Sequence, residues 1–204
     1  MNLQQHRSNF GELTGIRNQL RADLKKAERD LIAEAARKAD LGQAGDVLNA
    51  AILATQQQVR GYLEKVVTSA LQAVYGEDHG FHLDYEIRRN QPEITPWIVR
   101  GDEQYSPREE VGGGVLDVAA LALRMAMWSL MDPRPAPVFL LDEPGKFVSR
   151  DKQADFGRML REISKALGVQ ILMVSHSTDI IGQADKAYEV TLVDDKSEVK
   201  EIEV

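Results

Sequence analysis

The chain has 204 residues, 43% of them apolar, which is enough for one good core plus an appendage. A net charge of -7 excludes a surface coated with nucleic-acid contacts, although a local basic patch stays open. There is no cysteine, so disulfides, thiolate metal sites and thiol chemistry are excluded. Only four histidines occur, His6, His79, His82 and His176, and none pair at metal-ligand spacing on a helix. His79 and His82 fall on one side of a turn, where a metal is a remote alternative.

The N-terminus is polar and mixed in charge, unlike a signal peptide. Residues 1–40 read as one long polar helix. Phe10, Leu13, Leu20, Leu24, Ala27 and Leu31 fall at alternating three- and four-residue steps, and Arg17 interrupts the seam. So narrow a seam cannot stabilise a lone helix and needs a second strand; an amphipathic helix lying on the domain is the alternative. Gly42-Gln43-Ala44-Gly45-Asp46 predicts a break, with Asp46 as N-cap of a second helix to about Tyr75. The wide apolar face of that helix, with Val59, Tyr62, Leu63, Val66, Val67, Ala70, Leu71 and Val74, suits packing on a globular domain. The expected division is a coiled-coil arm over 1–42 and a globular lobe over 46–204.

Residues 81–87 alternate as a strand, Pro92 and Pro96 bracket a predicted turn, and 97–99 resumes an antiparallel partner. From 111 the pattern becomes α/β. Gly112, Gly113 and Gly114 lead into a very apolar helix over 115–131, too short for a membrane span and containing Asp117 and Arg124. A soluble, reducing compartment, the cytoplasm, is expected. A strand over 138–141 follows, then a helix over 152–167 with a stripe of Phe156, Met159, Leu160, Ile163 and Leu167. Gly168 is its stop, and 169–174 is the next strand. The chain ends in a predicted hairpin, 188–193 and 198–204.

The apolar run 137–141 ends in Asp142, Glu143 and Pro144. Two adjacent acids at a strand end repel each other and resist desolvation. In nucleotide hydrolases such a pair puts one carboxylate on a magnesium shell and the next beside the attacking water. A solvated strand end is the plain alternative. The glycine triplet lets backbone approach an anion at a helix N-terminus, or is simply a flexible turn. Ser175-His176 ends the next strand 33 residues after Glu143, so a parallel sheet would open both ends on one edge. An imidazole there suits contact with a terminal phosphate or the attacking water, or is a hydrogen-bonded side chain. Ser149 follows the acids in a short loop, where an N-cap role is the simple reading.

In this order the residues resemble the C-terminal half of an ATP-binding-cassette ATPase head of the SMC, SbcC and RecF kind, a divergent, phage-like member. The sequence runs signature loop and helix, Walker B strand, D-loop, switch histidine, and the likeness extends from about residue 46 to the end. The first 40 residues suit the returning arm of that family's coiled coil. The resemblance implies an α/β fold, a mainly parallel sheet with flanking helices and a C-terminal β-hairpin. It implies that Asp142 serves magnesium, Glu143 is the catalytic base and His176 the switch histidine. Gly112, Gly113, Gly114 and Ser149 would face nucleotide. Two positions depart from the pattern: Gly112 replaces the signature serine, and Ser149 stands where the D-loop has aspartate.

No Gly-x-x-x-x-Gly-Lys-Ser/Thr occurs, and Gly145-Lys146 lacks both the earlier glycine and the following hydroxyl. The resemblance therefore implies an ATPase that works, with ATP and Mg2+, only when a P-loop half completes the head and a second head pairs with it. DNA repair or recombination, or a chromosome-associated role, belongs to the same expectation, with a nuclease subunit, DNA and a nucleoid-associated assembly; no membrane does. A non-hydrolytic scaffold of the same fold, binding a partner helix, a nuclease or DNA, is the alternative. An independent carboxylate nuclease using Asp142 and Glu143 is a remote third.

Overall fold

The computed structural model describes residues 3–88, 91–108 and 111–204. Leu3–Tyr75 form one uninterrupted helix, α1. The predicted break at 42–46 is absent, and Asp46 lies inside the helix rather than capping one. A glycine costs a helix interior only about 1 kcal/mol relative to alanine, and the neighbours Arg37, Lys38, Leu41, Leu48 and Ala50 are good helix formers. Cβ atoms on Gly42 or Gly45 would meet nothing within 4 Å, so no packing demands a turn there.

Two compact units divide the chain, Met1–Gln56 and Gln57–Val204. In the first, no described residue is buried, and Phe10, Leu13, Leu20, Leu24 and Leu31 are all more than half exposed. Leu13, Ile16, Leu20 and Leu24 line an open apolar groove edged by Arg17 and Arg21. Ile16 therefore supplies the apolar contact that Arg17 denies the predicted seam.

The second unit holds the core. The last turns of α1 give it Val67, Leu71 and Val74. Strand β1 (His79–Arg88) pairs antiparallel with β2 (Gln91–Arg100), which pairs in turn with β3 (Glu103–Tyr105). Pro92 and Pro96 do not bracket a turn; they stand inside β2, opposite Ile87 and Leu83. Strand β3 covers only Ile98 to Arg100, so among the described residues both prolines lie where β2 has β1 alone as neighbour. A missing N–H is tolerated on such an open edge. The other edge of the sheet is finished by α1: Thr68 Oγ1 accepts from the Phe81 N–H at 3.0 Å, and Glu64 Oε1 from the Leu83 N–H at 2.8 Å.

Helix α2 (Gly113–Ser129) buries Val118, Leu121, Ala122 and Met125, and Tyr62 of α1 bonds Ser129 at 2.7 Å. Strand β4 (Val138–Asp142) pairs parallel with β5 (Gln170–Val174). Between them, a 3-10 turn (Arg150–Lys152) leads into α3 (Gln153–Leu167). Phe156, Met159 and Leu160 of α3 are buried, while Ile163 and Leu167 of the predicted stripe are partly so. Gly168 stops α3 at φ +64, the left-handed cap its position predicts. A four-residue helix, α4 (Thr178–Ile181), precedes the hairpin of β6 (Ala187–Val193) and β7 (Lys196–Ile202). Its turn is just Asp194-Asp195, both at positive φ, as a tight two-residue hairpin requires.

The sheet is not mainly parallel. Among the described residues parallel pairing is confined to β4 and β5, and the other two sheets are antiparallel. Parallel sheets need covering on both faces. Here the inner face of the pair, with Phe139, Leu141, Ile171 and Met173, packs on the core. The outer face, Val138, Leu140, Leu172 and Val174, is 42–73% exposed.

Candidate functional site

Parallel register brings the two strand ends together. Asp142 stands opposite Val174, and the Glu143 N–H continues the pairing by donating to the Val174 carbonyl at 2.9 Å. Glu143 itself takes φ +47, a left-handed conformation rare outside glycine. That turn carries its side chain to His176, whose Nε2 lies 3.3 Å from Glu143 Oε1. This approach is near enough for an ion pair but misses hydrogen-bond geometry, so Oε1 is buried without a hydrogen bond. The imidazole is 92% exposed, so the contact adds little stability. Glu143 and His176 share an open, mostly polar cleft of about 320 Å³ with Lys146, Arg150 and Ser177.

Asp142 opens into a neighbouring cleft of about 240 Å³, along with Asp117, Arg124 and Lys146. No group of three or more acids and histidines able to hold a metal occurs among the described residues. His82 is taken up differently, with Nδ1 2.9 Å from Glu64 and Nε2 3.0 Å from Asp84. His79 is held below the usual histidine range by burial, then by Arg100, against a smaller opposing effect of Asp78.

The glycine triplet has two distinct parts. A Cβ on Gly114 would lie 2.6 Å from the Phe147 carbonyl oxygen and 2.9 Å from Val148 Cα, and one on Gly113 would lie 3.1 Å from Phe147 Cβ. These glycines let the start of α2 press against the loop that follows Glu143. Asp117, one turn into α2, secures the same contact by accepting from the Phe147 N–H at 3.3 Å. Gly112 borders open space and leaves the helix end without a side-chain cap. Ser149 precedes the 3-10 turn at the N-cap position, but its side chain makes no cap bond.

Sequence reasoning passed over Asp117, Gln153 and Ser177. Ser177 had a readable signal: it caps α4 by accepting from the Ile180 N–H at 3.2 Å, and Thr-Asp-Ile-Ile follows it. Gln153 had none, because its partners lie in two other loops.

Tyr75, the last residue of α1, reaches the same corner, its hydroxyl 2.7 Å from where a Gly114 Cβ would sit. Its phenol is pushed up to about 12, first by burial and then by Asp117 and Asp151. A raised phenol favours the folded protein below pH 10, and that contribution is lost as pH rises through about 12. In an ultraviolet titration a late tyrosine ionisation is expected that Tyr75→Phe removes. A titration with no late step would contradict this placement of Tyr75.

No protein-family model and no curated protein matches the chain. Solved structures do. One, from work on ATP-driven dimerisation and DNA-stimulated activation of SMC ATPases, is 17% identical, with a TM-score of 0.58 over 73% of this chain and 88% of that one. An Smc head bound to the C-terminal winged-helix domain of ScpA is 18% identical, with a TM-score of 0.58 over 70% of this chain. The SMC head domain from Thermotoga maritima is 22% identical, with a TM-score of 0.52 over 73%. The chain spans only 43% and 52% of those last two. Likeness at such low identity speaks for the fold alone, and the fold is similar to that of SMC head domains.

Proposed function

We propose that the chain is the C-terminal half of an ATPase head and hydrolyses MgATP only when completed by a P-loop half. The observation that carries this reading is the bare outer face of β4 and β5. Val138, Leu140, Leu172 and Val174 form an apolar surface directly behind Asp142-Glu143. Exposed apolar sheet faces of this kind mark a missing partner layer. A P-loop half would supply both that layer and the phosphate cradle absent from the sequence.

Within the completed site, Asp142 contributes one carboxylate to the metal shell. Glu143 accepts the proton of the attacking water, and His176 orients the terminal phosphate at the same strand edge. Magnesium, when bound, would neutralise charge developing on the phosphate oxygens. Gly112, which borders open space, would face the nucleotide of a second head at the start of α2, while Gly113 and Gly114 seat that helix start against the loop after Glu143, with Ser149 at the facing D-loop. The apolar groove of Leu13, Ile16, Leu20 and Leu24 supports pairing of the arm with another helix. DNA and a nuclease subunit are partners of the assembled, cytoplasmic complex in this reading.

The test is reconstitution. The chain alone should release no phosphate from MgATP, and addition of a P-loop half should restore release. Leu140→Asp should abolish the gain by charging the joining face. A complex that forms yet releases no phosphate would instead establish the non-hydrolytic scaffold, the reading that Gly112 and Ser149 favour.

A further inference from the structure

We propose that Gln153 is a positioning residue that locks the loop after β4 to the loop after β5 and so holds His176 at Glu143. Its amide uses both ends. Nε2 donates to the Val148 carbonyl at 3.3 Å, and Oε1 accepts from Ser177 Oγ at 2.6 Å. Ser177 is tied further: its N–H donates to Ser175 Oγ at 3.2 Å, and its own Oγ accepts from the Ile180 N–H. His176 thus sits between two serines whose positions are set by hydrogen bonds.

The ring needs that support. With 92% of its side chain exposed, its 3.3 Å approach to Glu143 is an exposed contact that cannot hold it in place. Glu143 is already pinned through its N–H to Val174. The partner of the pair that depends on side-chain hydrogen bonds is therefore the 175–177 loop, and Gln153 ties that loop directly to the start of α3. Glutamine suits the task because its amide donates and accepts at once; glutamate at neutral pH only accepts, and leucine does neither. The same bridge reaches the 144–149 loop through Val148. Ser149 leaves its own capping place unused, so Gln153, four residues on, supplies the polar link between the two loops.

The geometry stands without nucleotide; only its purpose rests on the proposed roles of Glu143 and His176. Two-dimensional NMR of the full chain, with amide exchange, compares Gln153→Leu and Gln153→Glu with the parent. Gln153→Leu should move the His176 ring signals and speed exchange of the Ile180 and Ile181 amides about tenfold, as loss of one or two hydrogen bonds predicts. Residues 159–163 of α3 should keep their protection. Gln153→Glu should leave the His176 signals near the parent's, since it still accepts from Ser177, while the Val148 carbonyl carbon signal moves as its donor is lost. Unmoved His176 signals in Gln153→Leu would overturn the proposal, as would equal movement in both variants. If Gln153→Leu does not fold, Ser177→Ala removes the same link from the other side, and unmoved signals there overturn it equally. None of these measurements needs a P-loop half, so failed reconstitution counts against the ATPase reading and leaves the bridge standing.

Discussion

Once the chain is joined to a P-loop half, Glu143→Gln is expected to slow phosphate release at least about a hundredfold while nucleotide stays bound. The substitution is nearly isosteric and removes only the proton acceptor. Backbone cost does not confound it. Glu143 sits at φ +47, a conformation costing an ordinary L-residue about 1–2 kcal/mol, and glutamine bears the same cost. Its Oε1 also makes no hydrogen bond that the amide would lose. Stability should therefore hold while turnover falls. Single-turnover phosphate release, set beside nucleotide retention, separates the two effects. Full turnover in Glu143→Gln would show that another group takes the proton, and the base assignment would be wrong.

The parts of the fold that were legible are those whose boundaries carry their own chemistry. Gly168 must stop a helix, a turn beginning at Asp194 must fold a hairpin, though it closes at Asp195 and not at the expected Ser197, and 138–141 must be a strand because an apolar run ends in acids. The parts that were not legible depend on what lies beside them. Two glycines with nothing near them did not break α1, because a weak propensity loses to a long run of good helix formers. Pro92 and Pro96 looked like turn residues because the sequence cannot say which side of a strand stays unpaired. Strand β3, only three residues long, is too short to show any period.

The site divides the same way. Glu143 and His176 were readable as strand ends, and parallel register brings them to 3.3 Å. The glycines were readable as a loop, but the demand on Gly113 and Gly114 comes from Phe147 and Val148, some 30 residues away. Tertiary contacts supply that reason, as they do the Gln153 bridge.

The largest loss of stability is expected from Phe156→Ala, about 3–5 kcal/mol. Phe156 is among the largest fully buried side chains, with 0% exposure, on the core face of α3. Its ring also supports the loop after the acids. Gly145 passes over it so closely, at φ +73, that a Cβ there would lie 2.6–3.0 Å from three ring carbons. Truncation removes the transfer free energy of the ring and leaves a cavity under a strained turn that cannot collapse freely to fill it. A loss of that size is a large share of the total stability of an ordinary domain, about 5–15 kcal/mol. Urea unfolding should show the midpoint falling with the slope unchanged. The comparison is Phe147→Ala in the same loop, whose side chain is 63% exposed and should cost well under 1 kcal/mol. Equal losses in the two variants would mean that the ring of Phe156 is not what supports this loop.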